Sequence, residues 1–120
     1  MVPAKRGDRV APPRRPDGWE ARFATNEAAK GWEQLCHTAH SNTWEAWVVL
    51  TERPCTPQNP SRQSRLRGTL GTREIHGRLL EQWQYEVTAG GRIWYCPDPD
   101  RHIVWVVLAS PAHPKATEQS

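Results

Sequence analysis

Residues 79–108, LLEQWQYEVTAGGRIWYCPDPDRHIVWVVL, decide the fold of this chain. From Leu79 to Thr88 the residues alternate: Trp83, Tyr85 and Val87 fall on one side of an extended segment, and Gln82, Gln84 and Glu86 on the other. Successive side chains of a strand point to opposite faces, so this pattern predicts a strand with one face in a core. Ala89-Gly90-Gly91 reads as a turn, Arg92 to Cys96 as the return strand, and Pro97-Asp98-Pro99-Asp100 as a second turn. Ile103 to Leu108 is apolar on both faces, as a strand in the middle of a sheet, covered on both sides, requires. The three strands form an antiparallel meander.

Upstream, Trp19, Ala21 and Phe23 alternate with Glu20, Arg22 and Ala24 and predict a short, half-buried strand. Thr25 or Asn26 caps a helix whose buried stripe is Ala28, Trp32, Leu35, Cys36 and Ala39. A break at His40-Ser41 precedes a second helix. Asn42 and Glu45 have the spacing of a capping box there, Trp44, Trp47, Val48 and Thr51 form the buried stripe, and Pro54 ends the helix. Residues 54–78 are punctuated by Pro54, Pro57, Pro60, Gly68, Gly71 and Gly77. Within them, Arg65-Leu66-Arg67-Gly68-Thr69-Leu70 predicts a short edge segment leading into the sheet. The order β-α-α-β-β-β is an α+β plan: an N-terminal strand and αα-hairpin packed on a C-terminal antiparallel β-meander. Residues 1–17 carry Pro3, Pro12, Pro13 and Pro16 among Lys5, Arg6, Arg9, Arg14 and Arg15. They read as an extended, flexible basic arm with little to bury, ahead of a single domain over residues 18–118.

A length of 120 residues allows one compact domain. Apolar residues at 37% and seven Trp support a small core. The formal charge of +3 is compatible with a nucleic-acid partner without requiring one. The chain contains no run of about 18 apolar residues, so a membrane protein is excluded by composition, as are a coiled coil and a multidomain enzyme. Cys36, Cys55 and Cys96 are too few and too scattered for a disulfide framework. The opening residues lack the apolar stretch of a signal peptide, and a reducing cytoplasm is the expected compartment. Cys36, His37 and His40 lie close together, but no second ligand pair is spaced to complete a tetrahedron, and no metal is expected. Neither GxxxxGK[ST], GxGxxG nor GxSxG occurs.

The chain resembles the RelE/ParE superfamily of type II toxin–antitoxin toxins, on its RelE-like side. The matching pieces run in order over about residues 18–118. An early strand carrying Phe23 leads into a helical hairpin. The basic-Leu-basic-Gly segment Arg65-Leu66-Arg67-Gly68 follows. A hairpin then ends in Gly91-Arg92-Ile93-Trp94-Tyr95, similar to the family's Arg-aliphatic-x-Tyr strand. The final strand runs into Ala109-Ser110-Pro111-Ala112-His113-Pro114-Lys115, where the family often carries a His or a basic residue. The resemblance implies a metal- and cofactor-free endoribonuclease that cuts mRNA, dependent on the ribosome and neutralised by a cognate antitoxin protein. The superfamily also hosts non-catalytic gyrase inhibitors, and a degenerate member would keep the fold and bind only RNA or protein.

Such cleavage needs a group to remove a proton, a group to donate one and a cation for the phosphate. Arg92 suits the last task, because a guanidinium holds phosphate oxygens bidentately and keeps its charge. His113 suits proton transfer near neutrality. Lys115 suits a phosphate clamp or a catalyst, and Glu86 a base. Arg65 and Arg67 are phosphate-positioning candidates. Tyr95 or Trp94 can stack on a base, and one of the two must face the core. A two-residue turn places Val87 opposite Arg92. A three-residue turn places Thr88 opposite and Glu86 on the same side as Arg92, and it is favoured because Trp83, Tyr85 and Val87 look like core. The lysines that the best-known ribosome-dependent members carry on this strand are absent.

Overall fold

The computed structural model describes residues 3–8, 10, 18–56 and 60–112. Strand β1 (Glu20–Phe23) leads into helices α1 (Asn26–Thr38) and α2 (His40–Glu52). Then follow β2 (Gln63–Arg65), a 3-10 turn (Gly68–Gly71), β3 (Thr72–Ile75), β4 (Arg78–Glu81), β5 (Trp83–Glu86), β6 (Arg92–Asp98) and β7 (Ile103–Ser110). The fold is α+β. A mixed five-stranded sheet has the order β1-β7-β6-β5-β2, and β3 and β4 pair separately. β5, β6 and β7 form the antiparallel meander, β1 lies parallel to β7, and β2 pairs with β5 at the opposite edge.

Helices cover one face of the sheet, where Phe23, Tyr85, Ile93, Tyr95, Val104 and Val106 pack with Trp32, Leu35, Trp47 and Leu50. On the other face Ile75 and Leu80 of the β3–β4 hairpin pack with Cys96, Trp105 and Val107. The doubly apolar run of β7 is thereby explained, since each face meets a different cover. A bulge pairs Trp94 with Leu108 but Tyr95 with Val106. The extra residue in β7 returns Ala109 to the helix side, where it belongs to the main core. Helix α1 sits directly on that strand: a Cβ at Gly31 would lie 1.7 Å from the Ala109 carbonyl oxygen. Thr25 caps α1, its Oγ1 accepting the Ala28 N–H at 2.9 Å.

Helix α2 departs from expectation at its start and along its stripe. No side chain caps it; the Asn42 amide instead donates to the Val87 carbonyl at 2.9 Å. Its buried residues are Thr43, Ala46, Trp47, Leu50 and Thr51, while Trp44 is 51% exposed and stacks on Trp47. The inward face runs through positions 43, 46, 47 and 50, and Trp44 lies one step beyond its edge. The long strand expected over residues 79–88 is divided at Gln82. There the backbone N–H donates to the Gly71 carbonyl at 3.0 Å and Nε2 donates to the Leu70 carbonyl at 2.8 Å, which turns the chain from one sheet into the other. Gln82 and Gln84, expected on a wet face, are 1% and 8% exposed. Each bonds inside through one end of its amide: Gln82 Nε2 donates to the Leu70 carbonyl, and Gln84 Oε1 accepts the Trp94 indole N–H.

The described part of the N-terminal segment is docked on the sheet. The Gly7 N–H donates to the Phe23 carbonyl, the Phe23 N–H to the Asp8 carbonyl and the Val10 N–H to the Ala21 carbonyl. Val10 is 2% exposed. The outer side of β1 would otherwise present unpaired backbone groups, and this segment covers them. Residues 1–2, 9 and 11–17 of the expected arm lie outside the described residues.

Candidate functional site

The turn between β5 and β6 gathers charge. Glu86 pairs directly with Arg92 across the two strands, and the Val87 N–H donates to the Gly91 carbonyl, so the connection is a five-residue loop over 87–91. Neither the two- nor the three-residue turn forms, yet Glu86 and Arg92 do share a face. The loop carbonyls of Thr88, Ala89 and Gly91 turn inward and meet their donors there.

Arginines supply those donors. Arg92 Nη1 lies 3.0 Å from the Thr88 carbonyl oxygen, 3.1 Å from that of Ala89 and 3.1 Å from that of Gly91. Its Nη2 faces Glu86 Oε1 at 3.5 Å, and its Nε is buried without a hydrogen-bond partner. Arg62 Nη1 donates to the Glu86 and Val87 carbonyls at 3.2 and 3.1 Å. The Thr88 hydroxyl accepts the Gly91 N–H at 2.7 Å, and a Cβ at Gly91 would lie 2.8 Å from that oxygen and 3.3 Å from Leu35 Cδ2. Two guanidiniums thus converge on one loop beside the Glu86 carboxylate, whose side chain is 38% exposed, while Glu45 acts with Arg62 on the neighbouring Tyr85. Carbonyls carry no net charge, so of the Arg92 contacts only the Glu86 carboxylate offsets its cation.

β7 ends at the same corner. Ser110 pairs with Arg92, its hydroxyl accepts the Ala112 N–H at 3.1 Å, and the Pro111 carbonyl oxygen lies 3.4 Å from where a Cβ of Gly90 would stand. His113 and Lys115, the next two candidates, lie outside the described residues.

The other candidates fall elsewhere. Tyr95 is fully buried, its hydroxyl donating to the Pro54 carbonyl at 2.8 Å and accepting from Gln63 Nε2 at 2.9 Å. Burial raises its phenol above the ordinary range. A ring so enclosed cannot stack on a base, so Tyr95 is corrected from an RNA-binding candidate to a core residue. Trp94 faces the other way but is 4% exposed, so neither ring is offered to solvent. Arg65 is exposed, with Nη1 3.3 Å from Glu81 Oε2, and Arg67 is exposed beyond the end of β2. Arg65 stands opposite Trp83 and is about 10 Å along the strand from the Glu86 row. Arg62 is the arginine that reaches Glu86, and sequence reasoning missed it. Its role follows from the β2–β5 register, a pairing between distant residues that no local pattern encodes.

A cavity of about 470 Å³ lies at the far end of β6, lined by Cys55, Arg78, Leu80, Glu81, Pro97 and Asp100. Burial raises the Cys55 thiol, with Glu81 adding to the effect, so it is no activated nucleophile. Among the described residues no three His, Cys, Asp or Glu side chains converge to hold a metal ion, and no helix is long and apolar enough to cross a membrane. Comparison with protein-family models, curated proteins and solved structures finds no match for the chain.

Proposed function

We propose that the protein is a RelE-like toxin: a metal-independent endoribonuclease that cuts mRNA in the cytoplasm, works with the ribosome and is neutralised by a cognate antitoxin. One observation carries the reading. Glu86 stands beside Arg92 and Arg62 at a charged corner where the chain leaving β7 also arrives. The order of early strand, helical hairpin and closing meander agrees with the RelE/ParE resemblance.

In this mechanism a ribose 2′-hydroxyl attacks the adjacent phosphorus. Its proton passes to Glu86, a 2′-O–P bond forms, and the P–O5′ bond breaks. A proton from His113 completes the 5′-hydroxyl, leaving a 2′,3′-cyclic phosphate. Arg92 and Arg62 balance the charge that grows on the phosphate, with Lys115 assisting. The test is controlled expression in a bacterium, with growth and mRNA 5′ ends followed together. Wild type is expected to arrest growth and produce new 5′-hydroxyl ends. Glu86→Gln is expected to lower cleavage about 10²-fold or more. Cleavage that is unchanged in this variant removes Glu86 from the mechanism.

A second reading has one observation in its favour. Arg92 Nη1 is already engaged by three loop carbonyls, as suits a scaffold residue of a non-catalytic module. Growth arrest without RNA cleavage selects that reading, and inhibition of gyrase supercoiling in vitro then separates a gyrase inhibitor from a plain binding module.

A further inference from the structure

One row along the sheet from Glu86 and Arg92, Gln84 stands between Ser64 and Trp94. The Trp94 indole N–H donates to Gln84 Oε1 at 2.9 Å. An indole nitrogen only donates, so this bond determines which end of the carboxamide is oxygen and turns Nε2 away from the ring. That nitrogen bonds nothing among the described residues, and it is absent from their buried, unpaired polar atoms, which are Trp47 Nε1, Arg78 Nε and Arg92 Nε. Gln84 is therefore a side chain more than nine-tenths buried, its amide oxygen held by Trp94 and its Nε2 left without a hydrogen-bond partner among the described residues, on the face that carries the charged corner.

We infer that Gln84 is an RNA-phosphate-binding residue, its Nε2 donating to a phosphate oxygen beside the bond broken at Glu86 and Arg92; the inference rests on the RNA-cleaving reading above. A glutamine that reads adenine needs both its donor and its acceptor. Here Trp94 has taken the acceptor. What remains is donor-only, which matches phosphate and carries no base preference. Trp94 acts through Gln84 as a positioning residue.

The test uses the full chain and fluorescent, fully 2′-O-methylated RNA oligonucleotides of several sequences, which cannot be cut by 2′-hydroxyl attack. Gln84→Met is expected to weaken binding about tenfold on every sequence, as for the loss of a hydrogen bond to a charged group. The slope of log Kd against log salt stays unchanged, because no charge is removed. Gln84→Glu retains the acceptor for Trp94 and is expected to bind more weakly still, while thermal melts of both variants report folding. If wild type binds and both variants bind equally well, the inference is overturned and the RNA reading stands. A loss confined to oligonucleotides with one base also overturns it, because Gln84 then reads a base. If wild type binds and cleaves no RNA, the RNA reading itself fails and takes the inference with it.

Discussion

The two ends of β6 hold buried charge in opposite ways. At its end, Asp98 is 1% exposed and lies between Arg78 Nε at 3.4 Å and Arg101 Nε at 4.0 Å, while Arg78 also pairs with Asp100. Cation and anion meet within the protein, and the contact ties the β3–β4 hairpin to the β6–β7 turn. At the start of β6, Arg92 is 6% exposed, yet most of its partners are carbonyls, and of its one carboxylate partner, Glu86, Arg62 bonds only the backbone carbonyl. The lesson is that burial of a charge does not mark a site. The partners a charge keeps are the better pointer, and among the described residues Arg92 faces one carboxylate and three carbonyls where Asp98 faces two guanidiniums.

The largest test breaks the frame that holds both ends. In Gly31→Ala the new methyl collides with the Ala109 backbone, so α1 must lift from β7. A loss of about 3 kcal/mol or more is expected in urea unfolding. A near-neutral result would mean that α1 does not seat on the strand this closely.

Arg92→Met sharpens the contrast at the start of β6. It removes the donors of three loop carbonyls and leaves Glu86 without its ion pair, at an expected cost of about 3 kcal/mol. On the proposed RNA-cleaving reading, loss of cleavage should accompany it even where the variant is kept fully folded by lower temperature. Equal stability with wild type would mean that water replaces the guanidinium in the loop.

Between the two ends, burial lifts the Cys96 thiol to about 12. The unfolded chain ionises this thiol from about pH 9 upward while the folded protein keeps it protonated, so the unfolded state binds fewer protons in that window. Stability from this group is present below pH 9 and falls as pH rises toward 12, by up to about 1.4 kcal/mol per unit. Urea midpoints at pH 8 and pH 10 measure the slope, and Cys96→Ala is expected to make it shallower. An identical slope in the variant would place the alkaline sensitivity elsewhere.

Asp98→Asn is expected to have the smallest effect, about 1 kcal/mol, because the side chains of Arg78 and Arg101 are 36% and 52% exposed and water takes over their charge. On the proposed reading, RNA cleavage should stay at the wild-type level. A loss as large as that of Arg92→Met would show that the hairpin latch, and not the charged corner, dominates the stability of β6.

Much of the scaffold was legible along the chain because its signals are local. The alternation at Trp83, Tyr85 and Val87, the apolar run at Ile103–Leu108 and the helix cap at Thr25 or Asn26, which the structure gives to Thr25, each depend on neighbours within a few residues. The candidate site was legible only in part. Glu86 and Arg92 stood out by type and position, but their pairing depended on the register across a five-residue loop whose carbonyls Arg92 bonds. Arg62, Gln84 and the burial of Tyr95 had no local signature, since each follows from partners far away in the chain.

By itself the sequence determined the α+β class, the helical hairpin, the three-strand meander and the presence of a core, because hydrophobic periodicity is a short-range property of the chain. Only the tertiary structure decided that β1 runs parallel to β7, that the β3–β4 hairpin covers the second sheet face, that Trp44 faces out, and that Arg62 rather than Arg65 completes the charged corner. Each of these depends on register between segments that meet only when the chain folds. A shift of one residue in any strand pairing would have exchanged the faces and assembled a different corner.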